Sequence, residues 1–161
     1  MGSLHWLIRE TLFTSMRIKG TQLSCRIMTT TIEVLGDKVT LRLTSTDTNG
    51  KYSFLEFETP EGVGQPPHSH NWDETYVVIE GELDLNLNGV STIIFAGHSI
   101  DVPAGTIHAP ISKKKLTRYV MVAQPGGVES VFTSLEASSS SLDDMQRVVE
   151  IVTKEGVNIA M

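Results

Sequence analysis

Between residues 66 and 82, in PPHSHNWDETYVVIEGE, two of the chain's five histidines lie one residue apart, and a glutamate follows the second by four. On an extended strand alternate side chains share a face. His68 and His70 therefore project together, roughly 7 Å apart at the backbone, and their imidazoles can meet at one ion. Glu74 follows Asn71-Trp72-Asp73, which reads as a turn or bulge, and can bring its carboxylate to the same point. Imidazole nitrogens with one carboxylate oxygen suit Fe, Mn, Ni, Co, Cu or Zn better than Ca or Mg. A fourth ligand must come from elsewhere, and His108, just after the turn Pro103-Ala104-Gly105, is the candidate.

Taken singly, these residues have plainer readings. A His-x-His on a strand is more often a surface coincidence than a metal site, and a lone His108 would be a half-buried structural histidine. Tyr76 lies two residues past Glu74 and faces the same way on a regular strand. It is either a core aromatic with a satisfied hydroxyl, or a substrate hydrogen-bonder or general base with its pKa lowered by a metal. Trp72 and Asp73 are assigned to the turn at the barrel mouth. His98 reads as a turn residue, and His5 lies in an N-terminal stretch of different character.

The elements that must position these residues are strands. TIEVLG, KVTLRLTS, KYSFLEFET, TYVVIEG, ELDLNLNG, VSTIIFA, SIDVPAG and LTRYVMVAQ are short runs rich in β-branched and aromatic residues, separated by turn signals. Asn49-Gly50 and Asn88-Gly89 predict tight hairpins, since both central residues of such a turn need positive φ. Leu83, Leu85 and Leu87 alternate with Glu82, Asp84 and Asn86, so one face is buried and the other wet. Many short strands at this spacing mean a sandwich or barrel, here over residues 30–127.

The flanks differ. Residues 1–28 carry Arg9, Arg17, Lys19 and Arg26 against Glu10 alone. Leu4, Trp6, Leu7, Ile8, Leu12 and Phe13 could form one apolar stripe on a short helix. This stretch is a docked arm, a targeting leader, or an over-long start given Met16 and Met28. Residues 128–161 read as helical: VESVFTSLEA, a serine link at 138–141, then a helix with Ser141 as N-cap, Asp143 and Asp144 in its first turn and Gly156 as its stop. Leu142, Met145, Val148, Val149 and Val152 share one face of it, which is expected to cover the barrel.

The 161 residues suit one domain, and a formal charge of −6 argues against nucleic acid as a partner. The run Lys113-Lys114-Lys115 reads as a solvated turn. One cysteine, Cys25, allows no intrachain disulfide, so a reducing compartment is permitted. No apolar run is long enough to span a bilayer. A cytoplasmic location is expected, with organelle targeting open through the basic leader.

Gly62, His68, His70, Glu74 and Gly81 stand at the spacing of the first motif of the cupin superfamily, and Gly97, Pro103, Gly105 and His108 at that of the second. Ser112 stands where the second motif usually ends in Asn. The chain thus resembles a cupin over about residues 38–127. The resemblance implies an all-β fold, a double-stranded β-helix (jelly-roll barrel), with one divalent transition metal (Fe, Mn, Ni or Zn) held by His68, His70, Glu74 and His108. Two coordination positions would stay open for water, substrate or dioxygen. The layout around VMVAQPGGVESVF and the terminal helix is loosely similar to small quercetin-dioxygenase-like cupins. A metal-dependent dioxygenase acting on a small aromatic or enolic molecule is the leading expectation, with Glu74 and Tyr76 as catalytic groups. A redox-neutral isomerase, cyclase or lyase is the runner-up, and a non-catalytic binding module the third. Relatives of this fold commonly dimerise, and the edge run TIEVLG could pair across a homodimer.

Overall fold

Period-two hydrophobicity folds this chain into strands that bury one side. The computed structural model describes residues 10–18, 21–138 and 145–160, with side chains from residue 30 onward. Its strands are β1 (Glu10–Ile18), β2 (Thr21–Val34), β3 (Asp37–Leu43), β4 (Ser53–Pro60), β5 (His68–Ser69), β6 (Asp73–Glu80), β7 (Glu82–Leu87), β8 (Val90–Phe95), β9 (Ser99–Val102), β10 (His108–Ser112), β11 (Leu116–Gln124) and β12 (Asn158–Ile159). The helices are α1 (Ser45–Thr48), α2 (Glu129–Ala137) and α3 (Met145–Lys154).

Among the described residues, one antiparallel sheet runs β1-β2-β3-β4-β11-β6-β9 and the other β12-β5-β10-β7-β8. Together they form the double-stranded β-helix. Val39, Leu55, Phe57, Val78, Leu85 and Met121, all buried, fill the interior from both sheets. Each such side chain contributes about 1.5–3 kcal/mol by leaving water. Phe57 stacks on Tyr119 with centroids 4.8 Å apart, and its edge meets Phe132 of α2 at 5.4 Å. The helical flank therefore packs directly onto the barrel. Glu129 fixes it there, accepting hydrogen bonds from the Ser45 amide (2.7 Å) and the hydroxyls of Ser45 (2.6 Å) and Ser53 (2.5 Å).

Several expectations change. Leu12 and Phe13 fall in strand β1, not on a helix, because Glu10–Ile18 pairs in register with Thr21–Thr29; Leu4, His5, Trp6, Leu7 and Ile8 lie outside the described residues. The run TIEVLG pairs with β3 along one side through Thr30–Val34, while among the described residues β1 reaches only Thr21–Thr29 on the other side. Asn49 and Gly50 do take positive φ, 53° and 76°, but they end α1 instead of closing a two-residue hairpin. Thr44 and Asp47 form a capping box that nucleates that unforeseen helical turn. Asn88-Gly89 does close β7 onto β8 directly. In α3 the buried face is Val148, Ile151 and Val152, while Met145 and Val149 are exposed. Ser141, Leu142, Asp143 and Asp144 lie outside the described residues.

Candidate metal centre

Side chains alternate between buried and outward-facing without interruption from His68 to Val78, so His68, His70, Trp72, Glu74 and Tyr76 all point into the barrel. The bend at Asn71-Trp72 does not break the period. His108 opens β10 directly opposite His68 of β5 in the strand register. The two halves of the site are tied by backbone. Gly105 N–H donates to His70 C=O at 2.8 Å, and Ala104 N–H donates to the Asp73 carboxylate at 2.8 Å. Asp73 is thus a turn anchor, and His98 sits exposed in the turn before β9, its amide bonded to Phe95 C=O. Ser112 is buried in the β10–β11 connection, donating to Thr117 Oγ1 or Lys114 C=O, well apart from any ligand role. Lys113 and Lys114 pair with Asp84 and Glu82 on the surface.

The three histidines are oriented alike. Nδ1 of His68, His70 and His108 lies 2.9, 2.9 and 3.0 Å from the carbonyls of Pro66, Trp72 and Thr106. A carbonyl only accepts, so each neutral ring carries its proton on Nδ1 and presents a bare Nε2 lone pair inward. The three ligating nitrogens lie within 4.8 Å of one another. Nε2 of His70 and of His108 is fully buried without a hydrogen-bond partner. Yet these atoms sit 3.2 and 3.3 Å from the two Glu74 oxygens. Lone pairs facing a carboxylate repel unless a cation or proton lies between them. A divalent transition metal meets that requirement, and the N₃O donor set suits one.

The electrostatics agree. Desolvation pushes the His68 pKa down to about 4, keeping it a neutral ligand at pH 7. For Glu74 burial acts to raise the pKa; protons on Nε2 of His108 and His70 would hold the carboxyl well below its usual range, and a cation set between them takes the same role. Glu74 is also clamped from behind: Trp72 Nε1–H donates to Oε1 at 2.8 Å and Tyr76 O–H to Oε2 at 2.5 Å. The general-base reading of Tyr76 does not fit this geometry. Its hydroxyl is occupied by Glu74, and burial together with that carboxylate drives its pKa well above 10.

Trp72 was assigned to a mouth turn, yet it lies inside, stacked on His70 at 4.1 Å with planes 1° apart. Its place two residues before Glu74 on an unbroken alternation is the signal that marks it. A cavity of about 80 Å³ opens beside the histidines, and α2 and α3 wall its other side through Phe132, Leu135, Val148 and Val152. The C-terminal strand reaches the centre too: Ile159 pairs with His68, and Ala160 N–H donates to Pro67 C=O at 2.8 Å.

Residues 55–128, just under half of the chain, match the family model for the cupin domain. Quercetin 2,3-dioxygenase from Bacillus subtilis is 29% identical over 90 residues, covering 55% of this chain and 27% of that protein. The chain thus spans about a quarter of that relative's length. Among solved structures, an RmlC-like cupin from Shewanella frigidimarina superposes with a TM-score of 0.56 at 20% identity, covering 63% of this chain and 87% of its own. Oxalate decarboxylase from Bacillus subtilis gives 0.54 at 17% identity, covering 62% and 28%. Both likenesses concern the fold.

Proposed function

We propose that this protein is a metal-dependent cupin enzyme, a dioxygenase acting on a small aromatic or enolic molecule, with His68, His70, Glu74 and His108 as metal ligands. The observation that carries this reading is the pair of buried, unpartnered Nε2 atoms facing the Glu74 carboxylate. The similarity to quercetin 2,3-dioxygenase supports the choice of reaction class. A bound iron, manganese or nickel ion would supply Lewis acidity and access to dioxygen. The chain's own part is binding, orientation and proton management. Apolar residues of α2 and α3 exclude water from the cavity beside the ligands. Glu74 would accept the substrate's hydroxyl proton only once it loosens from the ion, since as a ligand its oxygens are already engaged. Tyr76 and Trp72 hold that carboxylate in place and act as positioning residues.

The test is oxygen uptake by protein loaded separately with Fe, Mn, Ni and Zn, using flavonol-like and catechol-like compounds. The reading expects dioxygen consumption with a redox-capable ion and none with His68→Ala/His70→Ala. Turnover that proceeds equally under nitrogen would instead establish the redox-neutral alternative.

A further inference from the structure

Asp37, the first residue of β3, lies 30 residues or more from every proposed metal ligand in sequence, but it lines the same cavity as His68, His70 and Glu74. Apart from Glu74 it is the only carboxyl in that lining. It is 6% exposed, and away from the histidines and Glu74 the rest of the lining is apolar apart from Gln65. Thr59 Oγ1–H donates to Oδ1 at 2.6 Å, which fixes the carboxyl's orientation. Among the described residues nothing bonds Oδ2. Oδ2 is not one of the solvent-sealed atoms that lack a partner, so it is open to a donor from a ligand.

The adjoining turn points the same way. Leu35 takes φ +52°, where a leucine is strained by roughly 1–2 kcal/mol. Its side chain is 46% exposed and lines this cavity beside Asp37. Gly or Asn would fit the turn without strain, and strained residues cluster where ligands are clamped.

We propose that Asp37 is a second recognition point in this cavity, accepting a hydrogen bond from a hydroxyl or amino group on an otherwise apolar ligand whose other, oxygen-bearing end meets the histidine centre. The inference rests on the metal reading above and narrows its substrate class: a small molecule with a chelating oxygen at one end and a hydrogen-bond donor at the other. Burial pushes the Asp37 carboxyl up to about 6 despite the Thr59 bond, so near neutral pH it is largely an acceptor in an apolar surround.

Kojic acid and allomaltol test this, being hydroxypyranone chelators that differ only in a distal hydroxyl. Calorimetric titration of nickel-loaded wild-type protein is expected to show about tenfold tighter binding of kojic acid. Asp37→Leu should bring the two within about twofold. Asp37→Asn keeps the shape but replaces one of the two carboxylate acceptors with an amide N–H donor. It should shrink the preference at least threefold, by roughly the worth of one hydrogen bond. Equal binding by the wild type, a preference that survives both substitutions, or nickel-loaded protein that binds neither chelator overturns the Asp37 assignment. Wild type that takes up no nickel, iron, manganese or zinc overturns the metal reading instead, so the two failures are distinct.

Discussion

Glu74 illustrates how one residue can be held by opposing demands. Its oxygens face two imidazole lone pairs in front and accept from Trp72 and Tyr76 behind. Groups that orient a ligand in this way typically alter metal affinity 10–100-fold. Tyr76→Phe is therefore expected to keep the fold and weaken metal binding about tenfold in a competition titration with a chelating dye; unchanged affinity would show the hydroxyl to be idle. Asp37 gives a second prediction. Its folded pKa of about 6 exceeds the unfolded value of 3.8, so the native state holds the extra proton between those values. Its contribution is present at low pH and is lost as pH rises through about 6. Asp37→Asn should then match wild type near pH 4 and gain on it up to pH 7, by about 3 kcal/mol from a shift of roughly two units. Urea titrations at the two pH values check this, and a gain independent of pH would contradict it. His68, His70, Glu74 and His108 were legible because their chemistry is carried by fixed spacing. Asp37 and Trp72 were not. Nothing in the sequence links Asp37 to residues 30 positions away, and the NWD tripeptide reads locally as a turn although its alternation continues.

At the scale of elements, the strands were readable wherever one face is buried and the other wet, as in β4, β7 and β11. Local chemistry misled where tertiary pairing decides. Asn49-Gly50 has the conformation of a hairpin turn but serves as the end of α1, and Leu12 and Phe13, the described members of the apolar stripe, lie in a strand paired with β2. The buried face of α3 differs from the expected one in that Ile151, not Val149, is buried. Two turn glycines allow a quantitative comparison. Gly81 has φ +82°, and a Cβ there would lie 2.6 Å from Leu116 C=O; Gly89 has φ +89° and open space around it. Gly89→Ala meets only backbone strain, about 1–2 kcal/mol. Gly81→Ala meets that strain and a backbone collision, so it should be the more destabilising by at least about 1 kcal/mol. Equal losses in denaturant midpoint at matched slope would refute the steric reading of the β6–β7 turn.

Across the whole molecule, the C-terminal segment closes what the barrel leaves open. β12 pairs with β5 beside His68, Val157 is buried, and Gly156 lies against the Trp72 ring. The cavity thus has the metal centre on one wall and α2, α3 and the approach to β12 on the other. Deleting residues 157–161 is expected to leave the barrel folded while exposing Trp72, seen as a red shift in its emission and faster loss of bound metal. An unshifted spectrum with unchanged metal retention would mean that this segment is not a cover. No described helix is long and apolar enough to cross a membrane. The expected homodimer is a matter for light scattering, and a monomer mass would remove it from the account.

The central claim is that His68, His70, Glu74 and His108 hold one transition-metal ion, and elemental analysis of the purified protein tests it most directly. The account predicts near-stoichiometric Fe, Mn, Ni or Zn in the wild type and its loss in His68→Ala/His70→Ala. Protein that remains metal-free after reconstitution with each ion, or a double variant that keeps its metal, would contradict it.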